Sequence, residues 1–377
     1  MVFSPIRPDE LTPGTLVGNW RILQQLGRWG HGAIYRVEDV RNPGHPLALK
    51  MSLRESEGHF DEWTARLKAS HPNVVRLHAC GRWPRSREGF FFVVRDYIRG
   101  QALPGWAEKV NPTFLQVVAL MSRLAFAIDH IHGGDTWHRD IRPDNIRVRD
   151  EDGEPVLLDL RAGGNEGADT LTQMPLPPET LVFRSPEALR FLRVNWGRRG
   201  LRYYFRPSDD LYALGATAYW LVTGHSPFSP SLSLDQLHRE AELRMPPAPW
   251  EINPRVPRGL GTVILRLLSK IPDERPRSGG ALSAELMATM SAGNRMVWAS
   301  RAFAWEQSEG GQASRRILVP EPPRFYSVDG PRLPQVVHFN PPANRAAQLT
   351  TPSPRRARPP RHLDESQELM GPWSRMM

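Results

Sequence analysis

His138-Arg139-Asp140-Ile141-Arg142-Pro143-Asp144-Asn145-Ile146, followed by Val156-Leu157-Leu158-Asp159 at the end of an apolar run, carries more chemistry than any other stretch of the chain. Asp140 is a carboxylate able to accept a proton from a hydroxyl nucleophile. Asn145 and Asp159 supply hard oxygen atoms of the kind that hold Mg²⁺ on a nucleotide. A loop of ordinary turn residues rarely combines these groups in this order.

Two weaker signals lie upstream. Leu26-Gly27-Arg28-Trp29-Gly30-His31-Gly32-Ala33-Ile34-Tyr35 puts Gly27, Gly30 and Gly32 in a turn between two predicted strands. Glycine there lets backbone N–H groups approach phosphate oxygens with no Cβ in the way, although such a hairpin is also simply a turn. A Rossmann or Walker loop opens a helix, which this one does not. Leu47-Ala48-Leu49-Lys50 is an apolar strand ending in a lysine. Of 49 basic residues only Lys50, Lys68, Lys109 and Lys270 are lysines, so a lysine at a strand end is informative. A compact ammonium suits a point contact with phosphate, against the plain alternative of a solvated strand end.

The rest of the chain supplies a setting. After an irregular lead-in over residues 1–19, strand-like runs are predicted at Trp20–Leu26, Ala33–Val40, Leu47–Met51, Val74–Leu77 and Phe90–Tyr97, with one helix near Glu57–Ala69. From residue 97 the pattern turns helical. Phe114, Val117, Val118, Met121, Leu124, Ala125, Ile128 and Ile131 share one face of a helix over Pro112–His132, and Asp210–Val222 is apolar almost all round. Leu260–Ser269 and Ala281–Met290 are further helical segments. The expectation is an α+β, bilobal fold: a small antiparallel sheet lobe with one helix over 20–96, a helical lobe over 97–290, and a disordered Pro/Arg-rich tail over 291–377. The tail offers a possible partner site, and Trp298–Trp305 a segment that could dock on the body.

The single Cys80 excludes an intrachain disulfide framework and a Cys-based zinc site, which fits a cytoplasmic setting. No signal core appears near the start, and Leu211–Val222 is too short to cross a bilayer, so no membrane insertion is expected. The net charge of +9 comes from scattered residues without a basic stripe interleaved with aromatics, so no specific nucleic-acid partner is expected.

Taken in order, these motifs resemble those of the eukaryotic-like (Hanks-type) serine/threonine protein kinases, in the bacterial branch, over roughly residues 20–290. The resemblance implies a bilobal kinase fold that binds ATP and Mg²⁺ and transfers the γ-phosphoryl group to Ser or Thr of a protein substrate that the sequence does not identify. Gly27, Gly30 and Gly32 would cover the nucleotide, Ile34 and Ala48 would line its site, and Asp96-Tyr97 would form the hinge against adenine. Lys50 would hold the α/β-phosphates and pair with Glu62. Asp140 would be the catalytic base, Arg142 would steady the transferred group where the family usually has lysine, and Asn145 and Asp159 would hold the metal. Thr180 to Glu187 resembles the substrate-positioning loop, with Glu187 paired to Arg275. Asp210 would hold the catalytic-loop backbone. Arg139 suggests control by phosphorylation of the activation segment, with Thr170 and Thr172 as candidate acceptors, against the plain alternative of solvated loop threonines.

The sequence departs from the family at four positions. Trp29 replaces the second loop glycine, Asp159-Leu160-Arg161 replaces Asp-Phe-Gly, Arg142 replaces lysine, and Arg95 stands where an apolar side chain usually guards the adenine pocket. A guanidinium facing that pocket needs an acidic or phosphate partner. The insertion Arg190–Pro207 is either a docking element or a loop that packs its aromatics on the lower lobe. Against the kinase reading stand a pseudokinase that serves as an interaction module and, more distantly, a basic nucleic-acid scaffold.

Overall fold

The computed structural model describes residues 7–29, 32–53, 70–85, 89–159, 178–195, 198, 201, 203–305 and 317–318. Its upper lobe is one sheet of β1 (Leu16–Val17), β2 (Trp20–Trp29), β3 (Gly32–Asp39), β4 (Asn42–Ser52), β5 (Leu77–Pro84) and β6 (Gly89–Asp96), in the spatial order β1-β2-β3-β4-β6-β5. Every neighbouring pair is antiparallel. Because side chains alternate along a strand, the two faces separate cleanly. Ala33, Tyr35, Val37, Leu49, Met51, Phe92 and Val94 pack with Ile22 and Trp20 into the lobe's core. Ile34, Arg36, Ala48, Lys50, Val93 and Arg95 occupy the alternate positions of the same strands.

Two expectations are corrected in this lobe. Order begins before Trp20, because the Tyr35 hydroxyl donates to the Pro8 carbonyl (2.9 Å) and accepts from the Leu11 N–H (3.1 Å), tying the lead-in to the sheet. The fourth strand is not Val74–Leu77 but Leu77–Pro84. Val75 instead donates to the Leu157 carbonyl and Leu157 to that of Asn73, so the apolar pair Val74-Val75 joins the lower lobe. Gly81 hides the true strand from periodicity. A Cβ there would lie 2.8 Å from the Phe92 ring, so the gap in the apolar pattern is filled from the neighbouring strand. The helix expected near Glu57–Ala69, with Glu62, lies outside the described residues.

The lower lobe opens with the small sheet β7 (Gly100–Ala102), β8 (Ile146–Arg149) and β9 (Pro155–Leu157), ordered as numbered. Gly100 has φ 151°, and a Cβ would meet the Val148 carbonyl oxygen at 2.0 Å, so only glycine lets the chain leave the hinge this close to β8. Helices α1 (Leu103–Val110) and α2 (Phe114–Gly133) follow, then α3 (Pro178–Leu181), α4 (Pro186–Asn195), α5 (Pro207–Thr223), α6 (Leu234–Leu243), α7 (Pro249–Ile252), α8 (Arg258–Leu267), α9 (Gly279–Ala292) and α10 (Arg295–Trp298). Thr113 and Gln116 close a capping box at the start of α2. By length and hydropathy α2 passes as a membrane span, yet most of it is buried in this lobe. Helix α5 is buried around nearly its whole circumference and touches α8 where Gly215 leaves room for Leu267.

Packing continues past residue 290. Trp298, Ala302 and Phe303 are buried, and the Asn111 amide donates to the Phe303 carbonyl (2.9 Å) and accepts from its N–H (3.0 Å). Asn111 ends α1 in the left-handed region (φ 46°), which turns its amide to pair like a strand neighbour. The stretch 190–207 contains the C-terminal part of α4 and then Tyr203 and Phe205, which stack edge to face at 4.9 Å and pack on the lower-lobe core.

Below the core, Arg275 is buried and bonded to Glu187 (2.9 Å), Ser208 O (3.0 Å) and Ser269 O (2.9 Å). Its neighbour Lys270 has no hydrogen-bond partner for Nζ among the described residues and rests 4.7 Å from the Phe228 ring centre. Burial, then the Arg275 charge, push the Lys270 ammonium down to about 8. Below pH 8 it is charged in both the folded and unfolded chain, and burial penalises the fold in full. Between about 8 and the ordinary value of 10.5 the folded protein loses its proton first, and the penalty fades. Lys270→Met is therefore expected to stabilise the fold by about 1–3 kcal/mol at pH 7. Urea unfolding across pH should show that advantage shrinking above pH 8.

Candidate active site

The loop between α2 and β8 is held from below by one buried carboxylate. Asp210, at the start of α5, accepts the His138 N–H (2.8 Å), the Arg139 N–H (2.8 Å) and His132 Nε2 (3.0 Å). These bonds hold Arg139 in the left-handed region at φ 67°. His138 is fully buried, and burial keeps its imidazole below the ordinary value and neutral. Its Nε2 donates to the Leu158 carbonyl (2.8 Å), while Nδ1 accepts the Asp140 N–H (3.3 Å), which ties the loop to the strand that delivers Asp159.

Within that frame Asp140 and Asn145 are brought together. The Asn145 amide donates to the Asp140 backbone carbonyl (2.7 Å) and to its Oδ2 (3.0 Å). The amide nitrogen is thereby spent, leaving the Asn145 carbonyl oxygen as its donor toward a cation. The other Asp140 oxygen accepts from Arg184 (3.2 Å), which also bonds the Arg139 carbonyl. Phe205, from the insertion, stacks on both guanidinium groups, 5.5 Å from Arg139 and 5.7 Å from Arg184. Arg142 spans from Asp144 to the Thr180 hydroxyl (2.6 Å), linking the loop to the expected substrate-positioning segment.

Asp159 follows β9 at φ 56° and faces two cations across the interlobe cleft. Lys50 Nζ is 3.0 Å from Oδ2 and Arg95 Nη2 is 3.5 Å from Oδ1. Burial raises the Asp159 carboxyl, but the Arg95 and Lys50 charges outweigh it and hold the group well below the usual carboxylate range. The guanidinium expected to need an acidic partner has one. Arg95, 7% exposed, shares the cleft face with Ala48 and Lys50 because Ala48 pairs with Arg95, and Lys50 with Val93, across β4 and β6.

The remaining predicted nucleotide residues fall on the same walls. Gly27 lies on β2 and Gly32 begins β3, with Gly27 opposite Ile34 and Ile34 opposite Lys50. Ala48 sits between Arg36 and Arg95 in a cross-strand row. Asp96 ends β6 and bonds His78 (2.6 Å), and the Tyr97 ring lies 5.4 Å from the Arg36 guanidinium. Gly30, Leu160, Arg161, Thr170 and Thr172 lie outside the described residues, as does the Trp29 side chain. Two site groups escaped the sequence reading. Arg184 stood in a recognised segment with nothing local to aim it at Asp140. Arg147 projects from β8 to donate to the Ile98 carbonyl in the hinge (3.2 Å).

Asn145 and Asp159 thus present hard oxygens on one cleft, a donor set that suits Mg²⁺, with Asp159 already facing two protein cations. Residues 20–287 match the family described as protein kinase domain. The chain belongs to that family. Among relatives, this kinase chain is 30% identical over 319 residues to the DNA damage-responsive serine/threonine-protein kinase RqkA of Deinococcus radiodurans, covering 80% of this chain and 43% of that protein. It is 26% identical over 286 residues to the serine/threonine-protein kinase PrkC of Bacillus subtilis, covering 73% and 41%. The kinase chain spans about half the length of the curated relatives it matches. Its fold is shared with the Mycobacterium tuberculosis PknI kinase domain, at a TM-score of 0.55 and 20% identity over 74% of this chain and all of that one. It is shared equally with Rad53 in complex with AMP-PNP, at 0.55 and 22% over 70% and 64%.

Proposed function

We propose that this chain transfers the γ-phosphoryl group of ATP to Ser or Thr hydroxyls of proteins, in a cytoplasmic setting. The observation that carries the proposal is the convergence of Asp140, Asn145, Lys50 and Asp159 on one cleft between a sheet lobe and a helical lobe. The names of the relatives support the acceptor class, and the nucleotide in the Rad53 complex supports ATP. In the proposed reaction Lys50 binds the phosphates and Asp140 orients the acceptor hydroxyl and takes its proton. Arg142, fixed by Thr180, meets the charge on the transferred group, so the loop and the acceptor segment are set by one side chain. Asn145 and Asp159 would hold Mg²⁺, which when bound neutralises phosphate charge. Pro104, Pro143, Val182, Phe183 and Trp220 line an adjoining hollow that suits an apolar residue of the acceptor peptide.

The test is incubation of the purified chain with Mg²⁺, γ-³²P-ATP and a general acceptor protein, followed by phosphoamino-acid analysis. Label on phosphoserine or phosphothreonine is expected. Intact nucleotide binding with no label under any metal condition would replace this proposal with the pseudokinase alternative.

A further inference from the structure

Arg95 gives the cleft a charge arrangement that the expected phosphate and metal sites do not require. Its guanidinium is buried, its Nη2 lies 3.5 Å from Asp159 Oδ1, and its Nε has no hydrogen-bond partner among the described residues. Lys50 takes the other oxygen of the same carboxylate. Two further guanidinium groups stand close by. Arg36 neighbours Ala48 in the row that leads to Arg95, and Arg147 reaches the hinge carbonyl of Ile98 from below. Neither makes an ion pair with a described carboxylate: Arg36 lies over the Tyr97 ring, and Arg147 donates to backbone. Among the described residues Arg36, Lys50, Arg95 and Arg147 thus gather in this part of the cleft, where Asp159 lies between Lys50 and Arg95, with Asp96 at the hinge and Asp150 beside Arg147 as the neighbouring carboxylates.

We propose that Arg95 is a built-in counter-cation on Asp159, so that the cleft binds the nucleotide polyphosphate without a divalent cation, and a metal reaches Asp159 only by displacing the guanidinium. The inference rests on the reading of this cleft as a nucleotide site. Its physical basis is competition. A carboxylate oxygen facing a guanidinium at this distance is a poorer ligand for a second cation, since the incoming ion meets a fixed positive charge and must break a partly buried pair. An unneutralised polyphosphate, by contrast, gains from each cation that lines its cavity. Divalent ion and Arg95 are therefore alternatives at Asp159, and the usual tightening of nucleotide binding by metal is weakened or absent here.

Arg95→Met and Arg95→Gln remove the charge while keeping a long side chain that fills the site. Arg95→Lys keeps the charge. Binding of a ribose-labelled fluorescent ATP is measured on the full chain in EDTA and in excess Mg²⁺, and Mn²⁺ binding to each nucleotide-loaded protein is followed by the electron paramagnetic resonance signal of the free ion. Thermal melting identifies which variants fold, and whichever neutral variant folds is used. In the wild type, nucleotide affinity is expected to differ by less than about threefold between EDTA and Mg²⁺. In the neutral variant Mg²⁺ should tighten nucleotide binding, and Mn²⁺ affinity should rise, by about tenfold or more, the scale on which a charge at this distance moves a carboxylate equilibrium. Arg95→Lys should stay within about threefold of the wild type. Strong metal-dependent tightening in the wild type, or a neutral variant indistinguishable from it, overturns the inference and leaves the kinase reading standing. Failure of the wild type to bind the nucleotide under either condition overturns both.

Discussion

Asp140→Asn is expected to lower phosphoryl transfer by about 10²–10⁴-fold while leaving nucleotide affinity within a factor of two or so. The substitution is nearly isosteric, so what it removes is the charge and basicity that the proposed reaction requires at the acceptor hydroxyl. The frame around residue 140 does not depend on that charge. Asn145 still bonds the backbone carbonyl at 2.7 Å, and the loop is held by Asp210 from beneath. The expected cost to the fold is modest, about 1–2 kcal/mol, and comes from Arg184, whose buried guanidinium loses an ionic partner at 3.2 Å while its contacts with the Arg139 carbonyl and the Phe205 ring remain. Initial-rate phosphorylation and equilibrium nucleotide binding on the same preparation separate the two effects. A rate loss below tenfold would remove Asp140 from the chemistry.

Asp210→Ala should act on the fold itself, destabilising it by about 3–5 kcal/mol, because the carboxylate accepts from two backbone N–H groups and a histidine in a buried site. Its loss leaves the His138 and Arg139 amides without partners and releases the left-handed turn at Arg139, so transfer activity should fall with stability. Burial raises the Asp210 carboxyl, but His132 and the backbone donors outweigh this and hold it below its ordinary value. A depressed carboxylate contributes stability that is complete above the unfolded value, near 3.8, and is lost as pH falls further. The gap between wild type and variant in urea unfolding should therefore be full at pH 6–7 and close only in strong acid. A gap below about 1 kcal/mol at pH 7 would mean that solvent or another acceptor replaces the carboxylate.

These two residues were legible beforehand for different reasons. Asp140 stands in a local motif whose residue types point to the role proposed for it. Asp210 was placed through resemblance, as the acid at the head of a helix too apolar to be anything but core. The strand Leu77–Pro84 was missed because its apolar pattern is interrupted at Gly81, where the covering ring belongs to Phe92 on the next strand. Val74-Val75 read as a strand for the opposite reason. Its pattern is apolar, but its backbone partner is Leu157, far along the chain.

Local order, spacing and residue type were enough to establish a sheet lobe followed by a helical lobe and the loop from His138 to Asn145, while the resemblance to the family singled out an arginine at position 95 in want of an acidic or phosphate partner. Such features reside in short stretches, where periodicity and side-chain chemistry act directly. The choice of partners belonged to the tertiary structure: Asp159 shared between Lys50 and Arg95, Asp140 held by Arg184, and Phe205 laid across Arg139 and Arg184. A long arginine can reach many carboxylates, and the strength of each pair depends on burial and distance, which exist only once β4, β6, β9 and the 178–205 segment have come together in space.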